Sequence, residues 1–485
     1  MTRQTRQTGQ TGKTRLRVVA DPAPSSRSSA AARVTVPGPS GRGTAAVFAA
    51  MARSPIDGYL SLYARYGDTV RIPFGPRSFR FLLSRPEHAE HILVTRQHDY
   101  VKPATYRGLR ALIGDGLLTS EGETWRRHRR LVQPVFTRRD VLAFGPAITD
   151  AAQRMLAGWA ALPDGAPVDA AARMSALALD VVGQALFSTD LTGDAERMSR
   201  SVDAGQRVAL AAGLLAMPRG PRSEQAVRVL ARRLSRTPDG MEGFTVALIR
   251  GRRAELAEAG GAGRRRDLLD VLLTADGADG PPLTDVEVSA EVATFLLAGH
   301  ETTANTLSWA LGLLAAFPAA RARLEAEVDT VLDGREPEAA DAARLPWTAA
   351  VISEALRLYP PAWTVERSAV VADQVAGVGV PAGSVVSVPP YLIHRHPEFW
   401  PDPAGFEPDR FLEPDPARPR YAYIPFGGGR RACVGQAFAE LEAVLVLAAI
   451  CQRYRLGLTP AGLPKPSAGV TLRPGRGLPM RLTRR

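Results

Sequence analysis

The sequence predicts a mainly α-helical fold with small β-sheets. Two observations carry that prediction: apolar residues recur at three- and four-residue spacing in seven long stretches, and strand-like alternation is confined to short pieces. In chain order, Thr69–Pro73 and Phe79–Leu83 alternate like strands, with Phe74-Gly75-Pro76 as the turn between them. Helical periodicity then covers Pro146–Trp159, where proline suits the first helical position, and Ala171–Leu186, Gly243–Ala259, Asp285–Phe317, Ala319–Leu332, Thr348–Leu358 and Gln436–Tyr454. Thr284-Asp285-Val286-Glu287 forms a capping box that opens the longest of these helices. The stretches Ala259–Arg266 and Asp276–Pro282 read as loops, and β-like pieces return in Ala369–Val388 and Val470–Leu482.

The 485 residues, 45% hydrophobic and 23% charged, supply ample material for a large globular core. Residues 1–43 are rich in Thr, Ser, Gly, Pro and Arg and read as a disordered basic tail, leaving 44–485 as the folded domain. That tail holds +7 of the formal net charge of +12, so the remaining +5 is no nucleic-acid footprint. Two cysteines suit a reducing cytoplasm rather than a secreted disulfide scaffold. No apolar run approaches the roughly 18 residues of a membrane-spanning helix, so no transmembrane anchor is expected. The tail is poor in acid and rich in arginine like a transit peptide, but it lacks an amphipathic apolar face.

The most informative segment is Phe426-Gly427-Gly428-Gly429-Arg430-Arg431-Ala432-Cys433-Val434-Gly435, standing just before the helical stretch Gln436–Tyr454. Cys433 lies at or before a helix N-terminus, facing unpaired N–H groups and the positive end of the dipole, with Arg430 and Arg431 beside it. Each effect favours the thiolate, the metal-ligating form. A disulfide to Cys451 is excluded if the helix is continuous, since it separates the two by about 24 Å where a bridge needs under roughly 7 Å. Structural zinc lacks further Cys or His nearby in sequence. A reactive thiol, a plain buried cysteine and an axial ligand of haem iron stay open on the residues alone.

The pattern Phe-x-x-Gly-x-Arg-x-Cys-x-Gly from Phe426 to Gly435 resembles the haem-binding signature of the cytochromes P-450. The resemblance covers about residue 45 to the end and implies that family's fold, with haem b (iron protoporphyrin IX) between a long distal helix and a proximal cysteine loop. It implies Cys433 as the axial ligand, Phe426 packed near the sulfur, Gly427 and Gly435 shaping the loop, and Arg431 on a haem propionate. Trp125-Arg126-Arg127-His128-Arg129 matches the family's Trp-x-x-x-Arg, implying Trp125 and Arg129 on a propionate, and Arg367 matches a further propionate ligand. Glu354 and Arg357 match Glu-x-x-Arg and, with Arg410, imply a buried structural network that holds the cysteine loop.

Midway along the longest helix, Ala298-Gly299-His300-Glu301-Thr302-Thr303 resembles the family's distal motif. The resemblance implies a local opening of the helix, with Ala298 close to the haem and limiting substrate approach. Splitting dioxygen requires two protons at the distal oxygen; Thr302 can donate a hydrogen bond there and Glu301 can relay protons from solvent. His300 looks like an accompanying residue. Ala362, Trp363, Thr364 and Val365, and the segment Tyr100–Leu118, are expected to line the substrate cavity.

These readings give a haem-dependent monooxygenase: RH + O₂ + 2e⁻ + 2H⁺ → ROH + H₂O. The chain has neither a Gly-x-Gly-x-x-Gly nucleotide domain nor an iron–sulfur cysteine cluster, so electrons are expected from ferredoxin and its NAD(P)H-dependent reductase. An acidic ferredoxin would dock on Arg126, Arg127, Arg130 and Arg430. The expected substrate is an apolar small molecule, first a terpenoid or other secondary metabolite, second a fatty acid. A peroxide-using or isomerising haem-thiolate enzyme and a non-catalytic haem sensor are the rivals, and the Glu301-Thr302 pair argues against both.

Overall fold

The computed structural model describes residues 36–74, 78–191, 193, 241–258, 267–274, 282–413 and 415–485. The turn residues 75 and 76, the loop at 259–266, most of the loop at 276–282 and the first 35 residues of the tail lie outside the described residues. Among the described residues, the helices of eight or more residues are α1 (Arg42–Arg53), α2 (Pro55–Tyr66), α3 (Tyr106–Ile113), α4 (Gly122–Val132), α5 (Gly145–Ala160), α6 (Ala170–Phe187), α7 (Met241–Glu258), α8 (Asp285–Ala316), α9 (Pro318–Leu332), α10 (Pro346–Leu358) and α11 (Gln436–Arg453). Every helix that the periodicity predicts is present, with ends within two residues.

The strands are β1 (Thr69–Pro73), β2 (Phe79–Leu83), β3 (Tyr100–Val101), β4 (Pro167–Asp169), β5 (Val365–Ala369), β6 (Asp373–Val375), β7 (Val378–Val380), β8 (Val385–Val388), β9 (Tyr454–Leu458), β10 (Pro466–Ala468), β11 (Leu472–Pro474) and β12 (Pro479–Arg484). The largest sheet has the order β1-β2-β8-β5-β3, with β2 parallel to β8 and the other pairs antiparallel. A second sheet, β4-β12-β9, ties the start of α6 to the last residues of the chain. Tyr454, expected to end the last helix, instead opens β9 in extended backbone and packs edge-on against Trp159 with ring centroids 5.6 Å apart.

Helix α8 runs through the centre of the core. Its capping box forms as expected: Glu287 N–H donates to Thr284 Oγ1 at 3.3 Å and Thr284 N–H to Glu287 Oε2 at 2.8 Å. From Ala290 to Leu314 every residue is buried except Ala298, Gly299 and Thr302, which share one face. Helix α6 packs across α8 at Gly299, where a Cβ would stand 2.8 Å from Val182 Cγ2. Glycine there sets how closely the two helices approach.

Two expectations change here. The distal helix was expected to open locally, but α8 is α-helical throughout. The hydroxyls of Thr302, Thr306 and Ser308 donate to carbonyls one turn back, Ala298, Thr302 and Ala304, at 2.6, 2.9 and 2.6 Å, and the helical ladder runs on past them. Second, α6 is long and apolar enough to cross a membrane. It is, however, a core helix, 67% buried in the protein, with Asp180 held by Arg154 at 2.8 Å.

Candidate active site

The cysteine loop is built from backbone. Cys433 N–H donates to Phe426 O at 2.9 Å and Gly427 N–H to Ile424 O at 3.0 Å, folding 424–433 back on itself. Gly427 and Gly429 take φ of 73° and 66°, and a Cβ on Gly429 would fall 1.9 Å from Leu93 O, so only glycine fits there. Gly435 is the N-cap of α11, and its N–H is bonded to the Cys433 sulfur.

The thiol itself departs from expectation. Burial pushes the Cys433 pKa up, outweighing the Gly435 N–H and the Arg129 charge. Arg430 and Arg431, expected to favour the thiolate, turn away to Trp125, their guanidinium carbons 5.7 and 4.3 Å from its ring centre. A bound metal cation would supply what the protein alone does not. Although protein crowds the sulfur, Cys433 keeps accessible surface, whereas the other cysteine, Cys451, is buried.

Arg129 donates from Nη1 to Ala432 O at 2.8 Å and from Nε to Gln133 at 3.0 Å, so it braces the residue before Cys433. Arg431 pairs through Nη2 with Glu121 Oε2, while its Nη1 is buried without a partner. Burial and the neighbouring Arg367 hold Arg431 down to about 10. Lys102, which sequence reasoning missed, stands in the same cluster; burial first and then Arg431 push it down to about 6. Its backbone N–H donates to Glu121 Oε1 at 2.9 Å and its ammonium to Ser120 O at 3.3 Å. Being one of three lysines in an arginine-dominated chain was the available signal. Arg367 and Arg431 leave Glu121 outnumbered, and Lys102 beside them would take up its proton again next to an added carboxylate. With an unpartnered guanidinium nitrogen among them, they fit a ligand that brings carboxylates.

Behind the loop, Glu354 and Arg357 are fully buried together. Arg357 also donates to His394 O, Pro403 O and Gly405 O at 2.9, 2.8 and 2.7 Å. Arg410 joins through Nε to Glu354 Oε1 at 3.2 Å and Glu407 N–H through the same oxygen at 2.9 Å. His394 extends the network: its Nε2 accepts from Ile424 N–H at 2.8 Å, the residue whose carbonyl holds Gly427. Burial, with Arg357 and Arg395 nearby, drives His394 down to about 3, so it is neutral and able to accept.

On α8, Ala298, Gly299 and Thr302 carry the accessible face, and Glu301 is buried beside them. His300 points to α6, with Nε2 2.7 Å from Ser175 Oγ, and burial pushes it down to about 4. Trp363, expected to line a cavity, is buried against Tyr59 and donates to Gly469 O at 3.0 Å, while Ala362 is exposed. The cation cluster with its spare guanidinium nitrogen, the glycine-shaped loop and the accessible thiol together fit a haem with its propionates.

The comparisons agree with this geometry. A family model described as Cytochrome P450 matches residues 47–477. Cyclooctatin synthase of Streptomyces melanosporofaciens is 37% identical over 88% of this chain and 92% of its own length. Pentalenene oxygenase of Streptomyces avermitilis is 34% identical over 90% of this chain and 94% of its own. Cyclooctat-9-en-7-ol 5-monooxygenase of Streptomyces melanosporofaciens is 34% identical over 85% and 87%. The crystal structure of the cytochrome P450DA heme domain superposes with a TM-score of 0.79 at 25% identity, covering 93% of this chain and 98% of that one. A match over most of the chain, together with relatives of this identity and coverage, is decisive: the chain belongs to the cytochrome P450 family and is a haem-thiolate monooxygenase.

Proposed function

We propose that this monooxygenase hydroxylates a terpenoid or another apolar secondary metabolite, using haem b and electrons from a ferredoxin and its reductase in the cytoplasm. The observation that carries the substrate class is the likeness, over most of the chain, to relatives named for cyclooctatin and pentalenene chemistry. The site is consistent with it, since the accessible face of α8 is Ala298, Gly299 and the half-buried Thr302, with no charged side chain.

When bound, the haem supplies dioxygen activation for inserting one oxygen atom into a C–H bond. The chain's residues do the rest. Cys433 provides the thiolate. Arg431, Arg367 and Lys102 would hold the propionates and balance their charge, with Trp125 against the Arg431 guanidinium and Arg129 bracing the loop. Thr302 Oγ1 donates to Ala298 O at 2.6 Å and can swing its proton toward the oxygen side of the site. Glu301 is the acid that resupplies it. Ala298, small and exposed to the site, sets how near the substrate comes.

For the redox partner, Arg126 and Arg130 are half-exposed, each near Glu123 at 2.9 and 3.6 Å, while Arg127 turns inward to Glu287 at 3.1 Å. The docking patch is therefore Arg126, Arg130 and Arg430 without Arg127. Charge reversal at Arg126 and Arg130 should slow reduction by ferredoxin and weaken its dependence on salt; an unchanged, salt-insensitive rate removes this assignment. The substrate class is tested by screening cyclic terpene hydrocarbons against fatty acids for a low- to high-spin shift of the ferric haem. Shifts from fatty acids alone would overturn it.

A further inference from the structure

Two charged side chains meet on one face of the largest sheet. Arg80 of β2 reaches across β8 to donate to Glu366 Oε1 on β5, and Ser387 of β8 donates to the same oxygen at 3.3 Å. Thr105, just before α3, donates to Glu366 Oε2 at 3.1 Å. A carboxylate offers about four acceptor positions and a guanidinium several donors, so each group keeps bonding capacity. Each side chain also keeps 14% of its surface accessible, which leaves that capacity within reach of a bound molecule.

Helix α3 runs from this pair to the face of α8 that carries Ala298. Thr105 is its N-cap and is tied to Glu366. Beyond its other end, Gly116 lies against α8, where a Cβ would stand 2.4 Å from Thr294 Oγ1, one turn before Ala298. The eight residues of the helix span about 12 Å. Past Tyr106, the half-buried side chains along this stretch are Ala111, Leu112, Leu117 and Leu118, all apolar. A molecule lying along it meets an apolar wall with one polar end.

That polar end is balanced in charge. One cation faces one anion, and the Tyr59 phenol beside them is raised by burial and stays neutral. Arg367, next in sequence, points to the opposite face of the sheet, toward Arg431. An added carboxylate would be repelled by Glu366, and an added ammonium by Arg80. A hydrocarbon would cover both groups and bond neither. A hydroxyl accepts from Arg80, donates to Glu366 and brings no charge.

We propose that Arg80 and Glu366 bind a hydroxyl group of the substrate, so that the preferred terpenoid is an alcohol whose apolar body extends toward Ala298 and Thr302. This rests on the terpenoid reading and on residues 100–118 lining the substrate space. The reaction that supplies such a substrate is an earlier hydroxylation or a cyclisation that ends by capturing water.

The test titrates full-length, haem-loaded protein with 1-decylimidazole, 1-(10-hydroxydecyl)imidazole and 10-(imidazol-1-yl)decanoic acid, followed by the Soret shift as imidazole binds iron. The shared imidazole fixes one end of each probe, so the other end reports on the sheet. The alcohol should bind about 10-fold tighter than the alkyl probe, the scale of one hydrogen bond to a charged group, and tighter than the acid. Replacing the pair together, Arg80→Met with Glu366→Leu, should abolish the difference between alcohol and alkyl probe while the carbonyl Soret band stays unchanged. Glu366→Gln keeps the side-chain size and frees the Arg80 charge, so it should move the preference to the acid. Equal affinities in the parent protein, or tightest binding of the acid, overturn the proposal. An alcohol preference that neither variant alters overturns the assignment to Arg80 and Glu366. The probes carry no terpene skeleton, so the terpenoid reading stands or falls separately, in the spin-state screen.

Discussion

Arg357 grips Glu354 at two points with no exposure to solvent: Nε lies 2.6 Å from Oε2 and Nη2 lies 2.7 Å from Oε1, one turn apart on α10. Arg410, Glu407 N–H and three carbonyls complete the shell, so removing either charge strands the other. Breaking a buried pair of this kind costs about 3–5 kcal/mol. Arg357→Ala should therefore lower thermal stability steeply and leave little protein that gives the red-shifted carbonyl Soret band. A melting curve and a carbonyl difference spectrum measure both, and near-normal values in both would show the pair to be dispensable.

Cys433→Ala removes the thiolate without touching the loop's backbone bonds. The variant should fold with a near-UV circular dichroism spectrum like that of the parent and lack the red-shifted carbonyl Soret band. Retention of that band would assign the axial ligand elsewhere.

Thr302→Ala and Glu301→Gln separate oxygen consumption from hydroxylation. With proton delivery impaired, product formed per electron pair should fall in the alanine variant by roughly 10²-fold, the lower range for a lost proton-transfer group. NADPH consumption should continue, with the electrons appearing as peroxide. Equal loss of NADPH oxidation and product would point to a structural role instead.

Burial holds His300 down to about 4, well under the ordinary histidine value near 6.5. Between those values the unfolded chain binds a proton that the folded protein does not. Stability present above the unfolded value is therefore lost as pH falls toward 4, by about 1.4 kcal/mol per pH unit for this group. Urea midpoints taken from pH 7 down to pH 5 should decline, and His300→Gln should decline less steeply. Parallel slopes would mean that His300 is not the neutral buried group described.

The proposed tail can be delimited by truncation. Val36 packs against the sheet and Pro37 O accepts from Arg71 N–H at 2.9 Å. Removing residues 1–35 should leave haem spectrum and melting temperature unchanged, whereas removing 1–40 should cost about 1–2 kcal/mol, the scale of one backbone hydrogen bond with its packing. Loss of haem on the shorter deletion would move the domain boundary toward the N-terminus.

What the sequence disclosed, and what it withheld, follows from how local each signal is. The loop 426–435 and the α8 motif are contiguous, and their glycines, threonines and cysteine carry their reasons within ten residues. The long helices were legible because each buries a broad stripe. Strands β3, β4 and β10 are two or three residues long, too short for alternation to register. Lys102 and His394 escaped notice because their partners are remote: Glu121 and Arg431 for one, Ile424 and Arg357 for the other. The orientation of Arg129 was open for the same reason. Its spacing from Trp125 places both on one face of α4, but only the folded loop shows that Ala432 O takes its hydrogen bond. The Cys433 pKa ran against expectation because helix-end and arginine effects can be read from order along the chain, whereas desolvation depends on everything packed around the sulfur.

The contact between Gly299 and Val182 makes those two positions trade volume with each other. A methyl group added at 299 has nowhere to go unless one is taken from 182, so Gly299→Ala should be poorly tolerated alone and recover in the company of Val182→Ala. Residue 182 lies on a different helix from the distal motif, yet its size governs the spacing at the one stretch of α8 that faces the site. Redesign of the pocket for bulkier or slimmer substrates can therefore begin from α6, leaving Ala298 and Thr302 untouched.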